Sequence, residues 1–178
     1  FVTGVTGRGA GTYDPDLNVY VRTAIGSSAA LFFYWDLSRA APDNPNVVFP
    51  PLDLSGSWRF DRGYGMEFDP IRGQYLLWGG TGAVWVMRAP ATLSSRGWTI
   101  DRMPSPGTAE MPTSDYDGAS LESGGGVLGK WKFIPELVAF IGLQDTAAGN
   151  VWIYKPIGWT RPGTTPAPTL NLDVTPQK

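Results

Sequence analysis

The feature that most constrains the fold of this chain is a pattern of aromatic residues and proline that occurs three times. In each copy an aromatic residue precedes a proline by two positions, a second aromatic residue follows the proline by five, and a hydrophobic segment with aromatic residues lies further along. The copies are marked by Tyr13, Pro15, Tyr20 and the run from Phe32 to Trp35, by Phe68, Pro70, Tyr75 and Trp85, and by Phe133, Pro135, Phe140 and Trp152. The prolines are 55 and 65 residues apart, a spacing that is typical of stacked supersecondary units.

The composition favours strands and turns over long helices. The 178 residues include 23 Gly, 16 Pro, 8 Trp, 7 Tyr and 8 Phe. In a β-rich chain, a period of this size is typical of a propeller, in which four-stranded sheets called blades surround a central channel. We therefore predict an all-β fold of three four-stranded antiparallel blades. Since closed propellers have four to eight blades, three would form an incomplete ring.

Turn residues place the boundaries of the three units. In the second copy, hydrophobic runs at 65–70, 74–80, 83–90 and 97–103 are separated by Asp-Pro, Gly-Gly and Pro breaks, as expected for four short strands. The fourth strand of the first copy is expected near Val47 to Leu54, and that of the third near Trp159. The resulting units are blade 1 at 1–57, blade 2 at 58–104, a long loop at 105–127, blade 3 at 128–161 and a Thr/Pro-rich linker or tail at 162–178.

Large aromatic side chains in these strands are expected to pack between blades, because they supply broad contact area on a sheet face. We assign this role to Tyr75, Trp85, Trp98, Phe140, Trp152 and Trp159. The glycines at 79 and 80 are expected to adopt positive φ where neighbouring blades crowd together. The first blade is expected to expose an apolar face that needs a partner.

Two segments carry a family resemblance. The strings YLLWGG (75–80) and TGAVWVM (81–87), followed by Trp98, resemble the kelch repeat, and the third copy matches it partly through Gly142 and Trp159. The resemblance extends to the galactose-oxidase-like propellers of secreted bacterial proteins. The tail from Pro162 resembles spacers that precede Ig-like or PKD-like modules in such proteins, or it is a plain disordered terminus. The resemblance implies a secreted bacterial protein, but the copper chemistry of that group does not transfer, because its histidine ligands have no counterpart here.

The sequence contains no cysteine and no histidine. Within these residues this excludes a Cys/His zinc site, disulfide bonds, a nucleophile activated by histidine, and a copper or iron centre held by imidazoles. The formal net charge of -2 gives no basic surface for nucleic acid, and no apolar run approaches the roughly 18 residues needed to span a bilayer. We therefore predict no cofactor, no nucleic-acid partner and no membrane span.

Candidate binding residues lie on two long loops, where propellers often carry function. The loop from about Met103 to Val127 contains Glu110, Asp115, Tyr116, Asp117 and Glu122, and the loop from Trp35 to Asn46 begins with Trp35 and Asp36. A third segment, DPDLN, places Asp14, Asp16 and Asn18 like the opening of a calcium loop. It lacks the sixth-position glycine and the closing glutamate, so a hairpin turn is the preferred interpretation. No catalytic residue is assigned.

Three functions remain open at this point. The preferred hypothesis is a non-catalytic secreted propeller module that binds a polysaccharide or a protein partner and is completed by other blades, on a second chain or on a segment beyond this sequence. The second is the C-terminal part of a polysaccharide lyase or glycosidase whose catalytic residues lie in such a segment. The third is a structural subunit of an extracellular filament or particle. The low density of charged residues, 17%, favours the first hypothesis over the second.

Overall fold

The chain folds into β-strands and turns. The computed structural model describes residues 9–25, 30–39, 46–48, 51–58, 64–79, 83–103, 127–143 and 151–163. These ranges contain twelve strands and one short 3-10 turn, Leu128–Lys130, and no α-helix. The predicted all-β class is therefore confirmed. Within these ranges, no helix is long and apolar enough to cross a membrane.

The first sheet has four antiparallel strands in sequence order. They are β1 (Gly11–Asp14), β2 (Val19–Ile25), β3 (Ala30–Asp36) and β4 (Asn46–Val48). The pairing register places Tyr13 opposite Tyr20, and Tyr20 opposite Trp35. The four strands agree with the number predicted for this unit.

The second sheet has five strands. They are β5 (Leu52–Asp53), β6 (Gly65–Asp69), β7 (Gln74–Trp78), β8 (Val84–Arg88) and β9 (Thr99–Arg102), in the order β5-β9-β8-β7-β6. The last four form the antiparallel meander that the sequence predicted. The fifth was missed, because β5 lies in the segment assigned to the first blade but pairs in parallel with β9.

The third sheet has three antiparallel strands. They are β10 (Trp131–Ile134), β11 (Ala139–Leu143) and β12 (Val151–Tyr154). The fourth strand expected near Trp159 is not formed, since residues 155–163 contain no strand. There the Trp159 indole N–H donates to the Leu137 carbonyl at 2.7 Å. The prediction of four strands per sheet is thus wrong for the second and third sheets.

The same turn joins the first two strands of each meander. Asp14 Oδ1 accepts hydrogen bonds from the amides of Asp16 and Leu17, and Asp69 Oδ1 accepts from those of Ile71 and Arg72. Each turn ends on a residue with positive φ, which is Asn18 at 51°, Gly73 at 58° and Val138 at 49°. The turns at 14–18, 69–73 and 134–138 are therefore equivalent, and they confirm that the proline pattern marks a structural repeat. A β-branched residue adopts this backbone only with strain, so the third turn is the least favourable.

The three sheets stack face to face with the second sheet in the middle. We call the face that carries Tyr75, Leu77, Trp85 and Met87 the front face of the central sheet, and the opposite one, with Leu76, Trp78, Val84 and Val86, its back face. Every one of these side chains is buried. Successive residues of a strand point to opposite faces. A strand whose two faces are both buried therefore has hydrophobic residues in succession, without alternating polar residues. This explains the continuous hydrophobic run of β7.

The interface between the first and central sheets is the larger of the two hydrophobic clusters. We call the face of the first sheet that packs on the central sheet its back face. Side chains of this face meet the front face of the central sheet, together with Trp98 from the loop before β9. The cluster includes Val19, Val21, Phe32, Tyr34, Met66, Phe68, Tyr75, Leu77, Trp85, Met87, Trp98 and Ile100. The Trp98 ring lies 6.0 Å from Tyr34 and 5.8 Å from Tyr75, centre to centre. The predicted packing roles of Tyr75, Trp85 and Trp98 are confirmed.

A buried hydrogen bond crosses this interface. The Tyr75 hydroxyl donates to Asp14 Oδ2 at 2.5 Å, while the other carboxylate oxygen holds the turn. Burial, and after it the Asp14 carboxylate, raises the pKa of Tyr75. The hydroxyl therefore stays protonated over the ordinary pH range and remains a donor.

Trp131 is the centre of the second interface, between the central and third sheets. It is fully buried, its indole N–H donates to the Leu76 carbonyl at 3.2 Å, and its ring stacks on Phe140 with 5.1 Å between centres. Trp78 of the central sheet lies 5.5 Å from it. A Cβ on Gly142 would lie 2.8 Å from the Trp78 ring, so glycine is required at that position. The cluster buries Phe140 as predicted.

Three sequence-based expectations fail at these interfaces. Trp152 was assigned to packing between sheets, but it lies on β12 and is 45% exposed. Trp159 was given the same role, but it contacts Leu137 and Lys155 and belongs to neither hydrophobic cluster. Gly79 does not have positive φ; instead, a Cβ there would come within 2.6 Å of the Tyr64 ring. Glycine is needed at 79 for space, and Gly80 lies outside the described residues.

We predict that Trp131→Ala costs about 3–5 kcal/mol of the free energy of unfolding, as large-to-small changes of buried aromatic residues do. The matched variant Trp152→Ala removes the same side chain from an exposed position on the same sheet and should cost far less. Urea unfolding of both variants measures the difference. Equal losses would contradict the assignment of the second core to Trp131.

A second pair of variants tests two buried tyrosines. Tyr75→Phe removes a hydrogen bond to a carboxylate and should cost about 1.5–3 kcal/mol. Tyr154 is buried as well, but its hydroxyl has no hydrogen-bond partner among the described residues, and burial raises its pKa to about 12. Tyr154→Phe should therefore leave the free energy of unfolding unchanged or increase it, because an unsatisfied buried hydroxyl is unfavourable. A loss as large as that of Tyr75→Phe would show that the Tyr154 hydroxyl is bonded.

Candidate functional site

Several predicted binding residues lie outside the described part of the chain. Glu110, Asp115, Tyr116, Asp117 and Glu122 all belong to the segment 104–126, which the structure does not describe. Their role stays a prediction.

The predicted residues Trp35 and Asp36 lie at the end of β3, and both are occupied by local contacts. The Trp35 ring lies 5.9 Å from Tyr20 and 6.4 Å from Phe33, centre to centre. Asp36 Oδ1 accepts hydrogen bonds from the amide and the hydroxyl of Ser38, and these hold the pKa of Asp36 below its usual value. Its second oxygen pairs with Arg39 at 3.3 Å. The Asp36 carboxylate thus stabilises the turn after β3.

The candidate calcium loop has the structure of a hairpin turn. Asp14 is 2% exposed, and its two oxygens accept from the Asp16 and Leu17 amides and from Tyr75. Asn18 Oδ1 accepts from the Tyr13 hydroxyl at 3.0 Å. In the described ranges, no three His, Cys, Asp or Glu side chains group in a way that could hold a metal ion.

The structure brings together three residues that sequence reasoning did not select. They are Thr12, Glu67 and Lys132, which lie on β1, β6 and β10, the neighbouring first strands of the three meanders. Glu67 is in the middle. Its Oε1 accepts from the Thr12 hydroxyl at 2.8 Å, and its Oε2 pairs with the Lys132 ammonium at 2.7 Å. Thr12 Oγ1 in turn accepts from the Phe68 amide at 3.2 Å.

A sequence signal for this row does exist. Each of the three residues directly precedes the first aromatic residue of its repeat, namely Tyr13, Phe68 or Phe133. Aligning the repeats therefore places a hydroxyl, a carboxylate and an ammonium at one position. Neighbouring sheets in a stack bring equivalent positions together, so the alignment indicates that the three polar side chains form a row. We call this row of Thr12, Glu67 and Lys132 the polar ladder.

Two residues of the polar ladder, Glu67 and Lys132, line an open groove of about 430 Å³. The rest of the lining consists of aromatic residues and prolines of the repeat, namely Tyr13, Pro15, Phe68, Pro70 and Phe133. Tyr13 is 49% exposed, whereas Phe68 is buried. Phe133 is partly exposed, so Tyr13 is the most exposed aromatic ring of the groove and lies beside a carboxylate and an ammonium that neutralise each other.

A second depression, of about 350 Å³, lies beside the third sheet. Its lining includes Leu137, Ile153, Lys155 and Trp159. The Lys155 ammonium sits 4.5 Å from the centre of the Trp159 ring, a cation–π contact that occupies one ring face. This leaves the groove of Tyr13 and Glu67 as the better candidate site.

We predict that Glu67→Gln lowers the free energy of unfolding by no more than about 1 kcal/mol, the usual range for a pair with a solvent-exposed partner. The Lys132 side chain is 55% exposed, and glutamine keeps an acceptor for the Thr12 hydroxyl. Urea unfolding of the variant measures the cost. A loss of several kcal/mol would show that the ladder is a structural element rather than an adjustable surface.

Comparison with known proteins assigns no function to this groove. Comparisons of the chain with the models of protein families, with curated proteins and with solved structures found no match. The groove and the stack of sheets are therefore the basis for a functional proposal.

Proposed function

We propose that this chain is a secreted β-propeller module, similar to kelch repeats, that binds a neutral polysaccharide in the groove of Tyr13 and Glu67 without cleaving it. The observation that carries the proposal is the exposed Tyr13 ring beside the compensated Glu67–Lys132 pair. Sugar rings present apolar C–H faces and polar edges, which an aromatic ring beside fixed hydrogen-bonding groups can match.

The stacking of the sheets supports the propeller part of the proposal. Successive blades of a propeller are short antiparallel sheets placed side by side around a channel. Here three meanders with equivalent first turns pack front face to back face in sequence order, and their first strands are neighbours. In a propeller those first strands would line the channel, and the groove would open onto it.

The size and lining of the groove support binding of a small segment of polymer. Ligand sites typically have volumes of about 300–1,000 Å³, and this groove has about 430 Å³. Since Glu67 and Lys132 compensate each other, the described lining carries no net charge that would favour an anionic sugar. Neutral polysaccharide is therefore the ligand class of choice.

The carboxylates around the groove support binding over hydrolysis. A glycosidase needs two carboxylates on opposite sides of the scissile bond. Glu67 is the single carboxylate among the described lining residues. Of the carboxylates next to lining residues in the sequence, Asp14 and Asp69 are buried and hold turn amides, and Asp16 is exposed but does not line the groove. The described lining therefore contains no pair of carboxylates.

The proposal is tested by affinity electrophoresis of the purified chain in gels that contain a soluble neutral β-glucan, galactan or mannan, with polygalacturonate as the anionic comparison. We expect retardation by a neutral polymer and, for Tyr13→Ala, binding roughly two- to tenfold weaker, the loss of one aromatic contact.

The matched control is Trp152→Ala, which removes an exposed aromatic residue from β12, at the far edge of the third sheet. It should bind like the unmodified chain. The proposal would be overturned if polygalacturonate alone retarded the chain or if none of the polymers did. It would also be overturned if Tyr13→Ala and Trp152→Ala lost the same amount of binding.

A further inference from the structure

The first copy of the repeat differs from the other two at two positions that lie in contact. Its first aromatic residue is Tyr13, whereas the other copies have phenylalanine there. Its turn ends on Asn18, at the position of Gly73 and Val138. A hydroxyl and a carboxamide therefore occur together at these positions in the first copy alone, and they bond to each other.

This bond acts on the orientation of the Tyr13 ring. The Tyr13 hydroxyl donates to Asn18 Oδ1 at 3.0 Å, and both side chains are exposed. An exposed hydrogen bond adds little to the free energy of folding, because it replaces hydrogen bonds to water. An exposed side chain changes rotamer readily, but a bond at the hydroxyl holds the far end of the ring. The Asn18 carboxamide thus restricts the ring to one orientation.

The backbone gives the Asn18 side chain a fixed attachment point. The φ of Asn18 is 51°, in the left-handed region that asparagine and glycine adopt most readily. Its carbonyl accepts from the Leu37 amide at 3.0 Å, and the buried Asp14 carboxylate holds the same turn. Glycine serves equally well in the second turn, where Gly73 has a φ of 58°. The turn therefore does not require the asparagine side chain.

The ring that Asn18 holds is the most exposed aromatic ring of the groove. Asn18 itself is not among the described residues that line the groove, so its connection with the groove is the bond to Tyr13. A ligand that stacks on a mobile side chain has to immobilise it, and this weakens binding. A ring that is already held avoids that loss.

We propose that Asn18 is a positioning residue for ligand binding, whose carboxamide holds the Tyr13 ring in the orientation on which a neutral sugar stacks. The inference rests on the proposed function and adds to it a residue outside the groove. Because Asn18 acts through the Tyr13 hydroxyl, its contribution to binding depends on that hydroxyl.

The first test is affinity electrophoresis with the neutral polymer that retards the unmodified chain. Asn18→Gly removes the acceptor and keeps the turn, and it should weaken binding roughly two- to tenfold, the cost of immobilising one side chain. Asn18→Asp restores an acceptor oxygen and should recover most of this loss. The matched control Val138→Gly introduces glycine at the equivalent position of the third turn and should leave binding unchanged.

A second pair of variants separates positioning from a structural role. Tyr13→Phe removes the hydroxyl and keeps the ring. Adding Asn18→Gly to Tyr13→Phe should cause no further loss of binding, because both changes break the same hydrogen bond. The urea midpoints of Asn18→Gly and of the unmodified chain should be equal. If the two losses multiplied, Asn18 would act on the ligand or the turn directly, and the inference would be overturned.

The third measurement needs no ligand and separates the inference from the proposed function. NMR relaxation of the Tyr13 ring should report a lower order parameter in Asn18→Gly than in the unmodified chain, with no change in Val138→Gly. An unchanged ring in Asn18→Gly would overturn the inference, whether or not the chain binds a polymer. A looser ring in a chain whose unmodified form binds no neutral polymer would overturn the proposed ligand alone.

Discussion

The structure depends on the burial of the central sheet on both of its faces. The central strand β7 sends alternate side chains to two different neighbours, so that Tyr75 and Leu77 belong to one core and Leu76 and Trp78 to the other. A change of register by one residue would exchange the two sets. The register of β7 therefore determines the packing of both outer sheets, and hydrophobic burial of this kind is the dominant favourable term in folding.

Much of the fold could be predicted because the repeat is local. Each five-residue turn begins with Asp or Ile followed by Pro, and its conformation depends only on residues that are close in sequence. The four strands of the central meander are bounded by Gly and Pro. What could not be predicted depends on distant partners. β5 has two residues and pairs with a strand far along the chain, and a strand that short gives no periodic signal. Trp152 lies at the same cross-strand position as the buried Trp131, yet it is 45% exposed, and the packing of a distant sheet is not written in the local sequence.

The candidate site was missed for a similar reason, although an alignment of the repeats carries a signal for it. Glu67 and Lys132 are 65 residues apart, and neither belongs to a motif with a known spacing. Attention to loops and acidic clusters selected Asp36 and Asp14, whose carboxylates serve turns. Only the alignment of the repeats against each other brings Thr12, Glu67 and Lys132 to one position, and it does so because the sheets are stacked.

The parallel pairing of β5 with β9 joins the first two sheets in a way that the third does not share. Leu52 pairs with Thr99, 47 residues later, so a segment that follows the first sheet is held at the edge of the second. Separating the first two sheets requires breaking the pairing of β5 with β9 as well as the apolar interface between the sheets. Among the described residues, the third sheet is attached by its front face and by the Lys132 pair, with no strand in the central sheet. We therefore expect the amide protons of the third sheet to exchange before those of the first two, which share the pairing of β5 with β9.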